Sequence, residues 1–197
     1  MTRQGWLWLA LGGAALAWAL SNTDTVGTAA QDVGDTLQTG AEDVTAAIAG
    51  WKAVNQGPAW VPVLNGAESQ FGIPPDLLAR IAYQESHFRD DIISGAKVSS
   101  AGALGLMQLE PQYFSTVRVV RPFSASDTAA QIQQAAQELQ RLNGVYNDWG
   151  LAVAAYNDGE GNVDKYLAGT HPLPAETIDY VSEILADVPL NGATVPA

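Results

Sequence analysis

The stretch Leu78–Gln108 combines an amphipathic helical pattern with an acidic residue at the end of that pattern. Leu77, Ile81 and Glu85 are spaced four residues apart, so they share one face of a predicted helix. A carboxylate among core residues is partly desolvated, and desolvation raises its pKa. An acid with a raised pKa holds its proton near neutral pH and can donate it to a leaving group. The sequence therefore predicts a general acid at Glu85.

The apolar pattern beyond residue 58 has a helical period, and no segment of any length shows the two-residue period of a strand. We therefore predict an all-α domain. Its polar positions, including Gln131, are predicted to be mostly solvated. A loop is predicted over 89–103 and an irregular segment over 118–126. Helices are predicted over 61–71, from Pro74 through Glu85, and over 112–116, 127–146, 149–156, 162–168 and 175–188.

Residues 1–23 are predicted to be a signal peptide or a membrane anchor. Residues 5–20 carry no charge, and their length of 16 residues falls between a signal-peptide core and a full membrane span. Ala17-Trp18-Ala19 fits a cleavage site, whereas the tryptophans at both ends resemble interfacial anchors and favour a retained helix. Arg3 precedes the segment, which predicts that the following domain faces away from the cytoplasm.

Residues 24–57 form a second, acidic segment rich in Ala, Thr and Gly. Apolar residues recur at helical steps over 26–51, which is consistent with a stalk helix that self-associates. The small apolar positions and two internal glycines are equally consistent with a disordered linker. Gly57-Pro58 marks a boundary, so the folded domain is predicted over 58–190, followed by a tail over 191–197.

The charge and the reactive residues exclude several classes of function. The net charge is −12, which argues against nucleic acid or an anionic membrane surface as the main ligand. The chain has no cysteine, so it can form neither a disulfide framework nor a thiolate metal site. It has only two histidines, which disfavours a histidine-based triad. We therefore expect no metal and no cofactor.

Four motifs occur in one order along the chain: Glu85-Ser86-His87-Phe88, the segment 99–108 ending in Gly105-Leu106-Met107-Gln108, Ala155-Tyr156-Asn157, and Glu176-Thr177 with Tyr180. In this order they resemble the soluble lytic transglycosylase family, over roughly residues 58–188. The resemblance implies a lysozyme-like fold and cleavage of the β-1,4 bond between N-acetylmuramic acid and N-acetylglucosamine in peptidoglycan. It also implies that one glutamate protonates the glycosidic oxygen and then acts as a base. The muramic acid 6-hydroxyl attacks its own anomeric carbon, giving a 1,6-anhydro end.

The resemblance also assigns roles to individual residues. Glu85 corresponds to the catalytic acid and base, and Tyr156 to a phenol that hydrogen-bonds the Glu85 region. Tyr156 and seven further residues correspond to substrate-binding positions. The seven are Ser86 as a hydrogen-bonding neighbour, Ser99, Gly105 for close backbone approach, Met107 and Gln108 lining the cleft, Asn157 as an amide for the sugar, and Tyr180 as a cleft-wall aromatic.

The chain departs from the family pattern at two places. The loop between Phe88 and Ser99 is several residues longer than the common spacing. Asp158 and Glu160 stand where the family usually has Ala and Pro, and they add negative charge beside the predicted cleft. This charge is expected either to raise the pKa of Glu85 further or to discourage anionic stem peptides.

Two other functions remain open from the sequence. A hydrolytic lysozyme or phage endolysin on the same fold needs a second carboxylate. Asp90 and Asp91 are the nearest candidates for that group, although they are better interpreted as solvated loop residues. A structural component of a virion or secretion machine that binds peptidoglycan is the second alternative. The expected location is the periplasmic face of the inner membrane or outside the cell, with a virion as the alternative.

Overall fold

The computed structural model describes residues 50–114 and 120–196, and helices account for nearly all of their regular structure. Within these residues there is no β-strand, only an isolated bridge between Leu104 and Leu109. The predicted all-α class is therefore confirmed. The helices, after a 3₁₀ turn at Gly50–Ala53, are α1 (Gly57–Phe71), α2 (Leu77–Ser86), α3 (Asp90–Ile93), α4 (Ala125–Tyr146), α5 (Trp149–Asp158), α6 (Glu160–Leu167) and α7 (Ala175–Asp187).

Three local predictions are corrected by the structure. The predicted loop 89–103 contains α3, which has two aspartates in its first turn, where the helix dipole favours acidic residues. The helix predicted over 112–116 is only a turn as far as Phe114, and its last two residues lie outside the described part of the chain. Gln131 on α4 is 2% exposed instead of solvated, because it faces the segment around Gly105.

Helix α5 is the centre of the domain and packs against α4, α6 and α7. Its residues from Gly150 to Ala155 are all buried, which explains why this helix has no polar face. Asp148 begins it by accepting hydrogen bonds from the backbone N–H groups of Gly150 and Leu151. The segment predicted as a tail contributes to this end, since Thr194 N–H also donates to Asp148, at 3.0 Å.

Helix α2 carries Glu85 and is held in place by contacts with α1 and α7. The residue that precedes α2 makes no capping hydrogen bond with its side chain, and Glu68 of α1 provides the acceptor instead. The Glu68 carboxylate accepts from Asp76 N–H at 2.8 Å and from Ala79 N–H at 3.0 Å. At the fourth residue of the helix, the buried Arg80 guanidinium donates to Asp187 of α7 at 2.6 Å. These contacts hold α2 against α1 and α7, and α7 supplies Tyr180.

The chain divides into two units at the boundary between Ala53 and Val54. Of the first unit only Gly50–Ala53 is described, and there the Lys52 ammonium lies 5.5 Å from the centroid of the Trp51 ring. The predicted signal or anchor over 5–20 and nearly all of the predicted stalk over 26–51 lie outside the described residues. In the described part of the chain, no helix is both long enough and apolar enough to cross a bilayer.

Residues just before the predicted boundary at Gly57-Pro58 belong to the second unit. Asn55 donates from its side-chain amide to the His87 carbonyl at 2.8 Å. Gln56 donates from its backbone N–H to the Phe88 carbonyl at 3.1 Å. The end of the predicted linker is therefore attached to the turn that directly follows α2.

Candidate active site

An open cleft of about 670 Å³ lies beside the C-terminal end of α2. Its walls come from the end of α2, the segment 99–114, α4, and the junction between α5 and α6. The lining residues are Glu85, Ser99, Ala103, Gln108, Leu109, Glu110, Tyr113, Phe114, Glu138, Leu142, Ala155, Tyr156, Asn157, Asp158, Gly159 and Glu160.

Glu85 occupies the cleft wall at the next-to-last position of α2. Its Oε1 atom accepts a hydrogen bond of 2.6 Å from the hydroxyl of Tyr180, which is itself buried. Burial raises the pKa of Glu85 to about 7, and the Tyr180 hydrogen bond opposes this rise. A large fraction of Glu85 therefore carries a proton at neutral pH, as its position among core residues predicted.

The two tyrosines exchange the roles that the sequence predicted for them. Tyr156 was expected to bond the Glu85 region, but its hydroxyl donates to the Met107 carbonyl oxygen at 3.0 Å. Tyr180 was expected only to form a wall, and it is the residue that donates to Glu85. Burial, together with the charge of Glu85, raises the pKa of both phenols, so both remain protonated donors.

Four of the predicted substrate-binding residues line the cleft: Tyr156, described above, and three further polar residues. Ser99 accepts a hydrogen bond from Ala103 N–H at 2.9 Å, so its hydroxyl proton is directed elsewhere. Gln108 has a positive φ of 47° and donates to the Gly105 carbonyl at 2.8 Å. Asn157 is exposed, and its Oδ1 atom accepts from the buried Thr177 hydroxyl at 2.9 Å. This contact leaves the Asn157 N–H₂ group to donate to a ligand.

Two other predicted substrate-binding residues, Ser86 and Met107, lie in the interior. Ser86 is fully buried; its hydroxyl donates to the Ala82 carbonyl and accepts from Phe88 N–H. The Met107 side chain is fully buried, so only its carbonyl oxygen serves the site, as the acceptor for Tyr156. The Ser86 hydroxyl therefore bonds Ala82 and Phe88 instead of Glu85, and the Met107 side chain does not reach the surface of the cleft.

Gly105 is required by packing beneath the cleft. Its φ is 74°, and a Cβ at this position would lie 2.0 Å from Gln131 Oε1. The close approach that the sequence predicted at Gly105 is therefore made by the α4 side chain. Both polar atoms of the Gln131 amide lack a hydrogen-bond partner among the described residues.

Several lining residues were not identified from the sequence. Glu138 and Leu142 are four residues apart on α4, so their shared face was available from the helical period. Tyr113 and Phe114 follow the Gly105–Gln108 segment directly, and Tyr113 is 75% exposed. No local pattern placed this turn at the cleft, because its position depends on how the segment 99–114 folds over α4.

Asp90 and Asp91, the sequence candidates for a second carboxylate, do not line this cleft. They line a separate groove of about 460 Å³ together with Trp60, Phe123 and neighbouring residues. Asp91 is paired with Arg89 at 2.6 Å, which lowers its pKa. Asp90 is exposed and Asp91 is partly exposed, but both belong to α3, so their interpretation as solvated loop residues is wrong about the loop. Among the described residues no group of three or more His, Cys, Asp or Glu side chains is arranged to hold a metal ion.

This arrangement is suited to acid–base chemistry on a ligand that lies along an open groove. A half-buried glutamic acid titrates near neutral pH, a phenol bonds one of its oxygens, and an exposed amide lines the same cleft. With the helical fold around α5, these features define a lysozyme-like domain with a glutamate of raised pKa in its cleft. The family model described as Transglycosylase SLT domain matches residues 62–178, and the chain belongs to this family.

Individual relatives resemble parts of the chain. Membrane-bound lytic murein transglycosylase D of Escherichia coli K12 is 36% identical over 103 residues, which are 45% of this chain and 23% of that protein. Lysozyme g of Takifugu rubripes is 28% identical over 177 residues, covering 77% of this chain and 90% of that protein. A solved structure, an inactive mutant of the lytic transglycosylase Slt from Pseudomonas aeruginosa, is similar with a TM-score of 0.51 and 27% identity. That likeness covers 68% of this chain and 25% of the Slt chain, so this chain spans about a quarter of the length of these transglycosylases.

Proposed function

We propose that this protein is a peptidoglycan lytic transglycosylase in which Glu85 is the single acid and base. The observation that carries the proposal is the Glu85 carboxyl group in the cleft, with a pKa of about 7 and a hydrogen bond from Tyr180. Membership of the SLT family supports it, as do the names of the E. coli and Cellvibrio japonicus relatives, both membrane-bound lytic murein transglycosylases. The Pseudomonas aeruginosa Slt mutant, which carries glutamine in place of a glutamate, is inactive.

In the proposed reaction, protonated Glu85 donates its proton to the glycosidic oxygen as the bond to the anomeric carbon breaks. The resulting carboxylate then accepts the proton of the muramic acid 6-hydroxyl as that oxygen attacks the anomeric carbon. The new 1,6-anhydro bond closes the ring, and no water is consumed. The Tyr180 hydrogen bond stabilises the carboxylate that forms after the first proton transfer.

The remaining cleft residues have supporting roles in this proposal. The Asn157 amide donates to a carbonyl or hydroxyl oxygen of the sugar, since its own oxygen already accepts from Thr177. Tyr156 holds the Met107 carbonyl and thereby the turn that presents Gln108 to the cleft. Ser86 and Gly105 act indirectly. The Ser86 hydroxyl accepts a hydrogen bond from Phe88 N–H at the end of α2, and the absence of a Cβ at Gly105 leaves room for Gln131 beneath the turn.

Glu85→Gln tests the catalytic assignment. This variant keeps the size of the side chain and removes the transferable proton, so we expect release of muropeptides from purified sacculi to fall at least about 100-fold. Asp90→Asn and Asp91→Asn remove carboxylates from the separate groove and should retain wild-type activity. Circular dichroism and the denaturation midpoint verify that each variant is folded. Wall-degrading activity of folded Glu85→Gln equal to that of the wild type would refute the assignment.

A hydrolytic lysozyme is the second candidate, because the chain resembles lysozyme g and the cleft contains further carboxylates besides Glu85. Hydrolysis consumes one water per bond cleaved, whereas the transglycosylase reaction consumes none. Mass spectrometry of the products distinguishes the two reactions. Anhydromuropeptides support the transglycosylase, and products that all have reducing ends establish the hydrolase.

Peptidoglycan lies outside the cytoplasm, and this proposal therefore includes export. The membrane-bound relatives and the uncharged segment 5–20 support export to the periplasm or beyond, with that segment as a signal or an anchor. Fractionation of cells expressing the full chain, followed by mass determination of its N-terminus, tests export and cleavage together. Recovery of the uncleaved protein in the soluble cytoplasmic fraction would contradict this part of the proposal.

A further inference from the structure

The turn after the Gly105–Gln108 segment places an exposed aromatic ring in the active-site cleft. Tyr113 and Phe114 both line this cleft. Phe114 is half-buried, whereas Tyr113 is 75% exposed and is the most exposed aromatic side chain among the described residues. The Tyr113 side chain makes no hydrogen bond and no ring contact with another residue in the described part of the chain. Packing of the fold therefore does not account for this ring.

The other large apolar side chains that are exposed in the described part of the chain differ from Tyr113 in type and in place. All of them are aliphatic and none lines the cleft: Val54, Val98, Val120, Val145, Leu167 and Val195. Single exposed apolar residues are common on protein surfaces and need no functional explanation. An aromatic ring in a cleft is different, because ligand sites are lined by apolar and aromatic side chains that the ligand covers.

The backbone that carries Tyr113 is held by hydrogen bonds. Leu104 and Leu109 exchange two backbone hydrogen bonds, at 3.0 Å and 3.1 Å, at the base of the segment. The N–H groups of Tyr113 and Phe114 both donate to the Glu110 carbonyl, at 2.9 Å and 3.1 Å. A ligand that contacts the Tyr113 ring therefore meets a turn that is already formed, and little backbone entropy is lost on binding.

We propose that Tyr113 is a specificity-determining residue whose ring stacks on a sugar ring of the glycan strand. This inference rests on the proposed function and adds a binding contact to the same site. In β-1,4-linked N-acetylated sugars the ring substituents are equatorial, so each face of the sugar ring presents apolar C–H groups. The face of an aromatic ring is electron-rich and attracts such groups, and the contact removes apolar surface of both rings from water.

Polar neighbours of Tyr113 suit the rim of a stacked sugar ring. Gln108 and Glu110 line the same cleft. The Gln108 amide nitrogen donates to the Gly105 carbonyl, which leaves its Oε1 atom as an acceptor. The Glu110 carboxylate is held by the Gln112 amide, at 2.6 Å. Carboxylate and amide oxygens accept hydrogen bonds from hydroxyl groups, and equatorial hydroxyls point outward from the rim of a sugar ring.

The size of the contact follows from the area that it covers. Covering about 60 Å² of apolar ring surface changes a binding constant about tenfold, at the usual free energy per unit of buried area. A contact that is made equally with the bound substrate and with the transition state changes KM and leaves kcat unaffected. Tyr113→Ala should therefore raise KM about tenfold and keep kcat within about twofold of the wild type.

Binding of peptide-free glycan strands to folded Glu85→Gln measures this contact without cleavage. The strands are prepared from sacculi with an amidase, and the affinity is measured by isothermal titration calorimetry. Tyr113→Ala in this background should weaken binding about tenfold, and Tyr113→Phe, which keeps the ring, should restore it. Val145→Ala is the matched control, because it removes an exposed apolar side chain outside the cleft lining, and it should leave the affinity unchanged.

NMR spectra of the bound strand distinguish stacking from a general apolar contact. The ring current of a stacked tyrosine shifts the C–H proton signals of the sugar upfield. These shifts should persist in Tyr113→Phe and disappear in Tyr113→Leu, whose side chain is apolar but not flat. Unchanged affinity in folded Tyr113→Ala, or the absence of sugar shifts that depend on an aromatic ring at position 113, overturns the inference.

The kinetic results separate this inference from the proposed function. Weaker binding by Tyr113→Ala together with the ring-current shifts supports the inference even where the wild type cleaves no glycan, a result that would count only against the transglycosylase activity. Wild-type values of both KM and kcat in Tyr113→Ala overturn the inference and leave the proposed function intact.

Discussion

Removing the Tyr180 hydroxyl should move the pH range in which the enzyme works. Tyr180→Phe keeps the buried ring and deletes only the O–H group that donates to Glu85 at 2.6 Å. Burial raises the pKa of Glu85, and this hydrogen bond lowers it by favouring the ionised form. The two effects together give a pKa of about 7. A hydrogen bond to a charged group contributes about 1.5–3 kcal/mol, and about 1.4 kcal/mol corresponds to one pKa unit. The pKa of Glu85 should therefore rise by about one to two units.

The sign of the effect on activity follows from the role of Glu85. In the proposed reaction Glu85 is the general acid and must begin protonated, so activity should fall as pH rises through its pKa. The midpoint of the alkaline limb of kcat/KM should lie near 7 in the wild type and about one to two pH units higher in Tyr180→Phe. The maximum rate of the variant should fall, since the carboxylate formed in the reaction loses a donor.

Tyr156→Phe is the matched control for this experiment. Its hydroxyl lies in the same cleft but donates to the Met107 carbonyl, so its removal should leave the alkaline midpoint within a few tenths of a pH unit. Digestion of soluble glycan strands over a range of pH, with NMR titration of the glutamate carboxyl carbons, measures both quantities. An alkaline midpoint in Tyr180→Phe that is unchanged or lower would refute the assignment of Tyr180 as the donor to the catalytic acid.

Four changes away from the reacting atoms should alter stability, measured as the free energy of unfolding in urea. Gln131→Met removes a buried amide without partners and should stabilise the fold by about 1–2 kcal/mol. Glu68→Ala leaves two N–H groups at the start of α2 without acceptors. Because the pKa of Glu68 is raised to about 7, the stability that Glu68 contributes is fully present below about pH 4.5 and is lost as pH rises through 7. The loss of stability in the variant should therefore be larger at pH 5 than at pH 8. Gly150→Ala places a Cβ 1.8 Å from the Thr194 carbonyl oxygen and should destabilise by more than 2 kcal/mol, whereas Gly144→Ala meets nothing within 4 Å and should stabilise by about 0.5–1 kcal/mol.

Much of the helical scaffold was predictable because its signals are local. The apolar stripe of α4 predicted a helix over 127–146, and the structure begins it two residues earlier, at Ala125, where Ser124 and Asp127 form a capping box. The four-residue spacing that ends at Glu85 placed the acid on a core-facing row, and the structure finds it half-buried. In each case the deciding information lies within a few turns of one helix.

The partners of each site residue were less predictable, because they are set by long-range packing. Tyr180 lies 95 residues from Glu85 along the chain, and Tyr156 lies 49 residues from Met107. Both tyrosines were identified, but nothing local distinguishes which phenol reaches the carboxyl group. The predicted exposure of Gln131 was wrong for a related reason. A glutamine is ordinarily solvated, and Gln131 is buried here because Gly105 has no side chain to occupy the same space.

Asp158 and Glu160 show how a charge that is visible in the sequence acquires a different meaning in the structure. In the sequence, Asp158 and Glu160 are two equivalent negative charges beside the Tyr156-Asn157 motif. In the structure, Glu160 is held by Arg141 and its pKa is lowered, so it is an ordered ion-pair member as well as a charge in the cleft. Asp158, at the end of α5, keeps a buried oxygen that has no hydrogen-bond partner among the described residues. The charge of Asp158 is therefore the less compensated of the two.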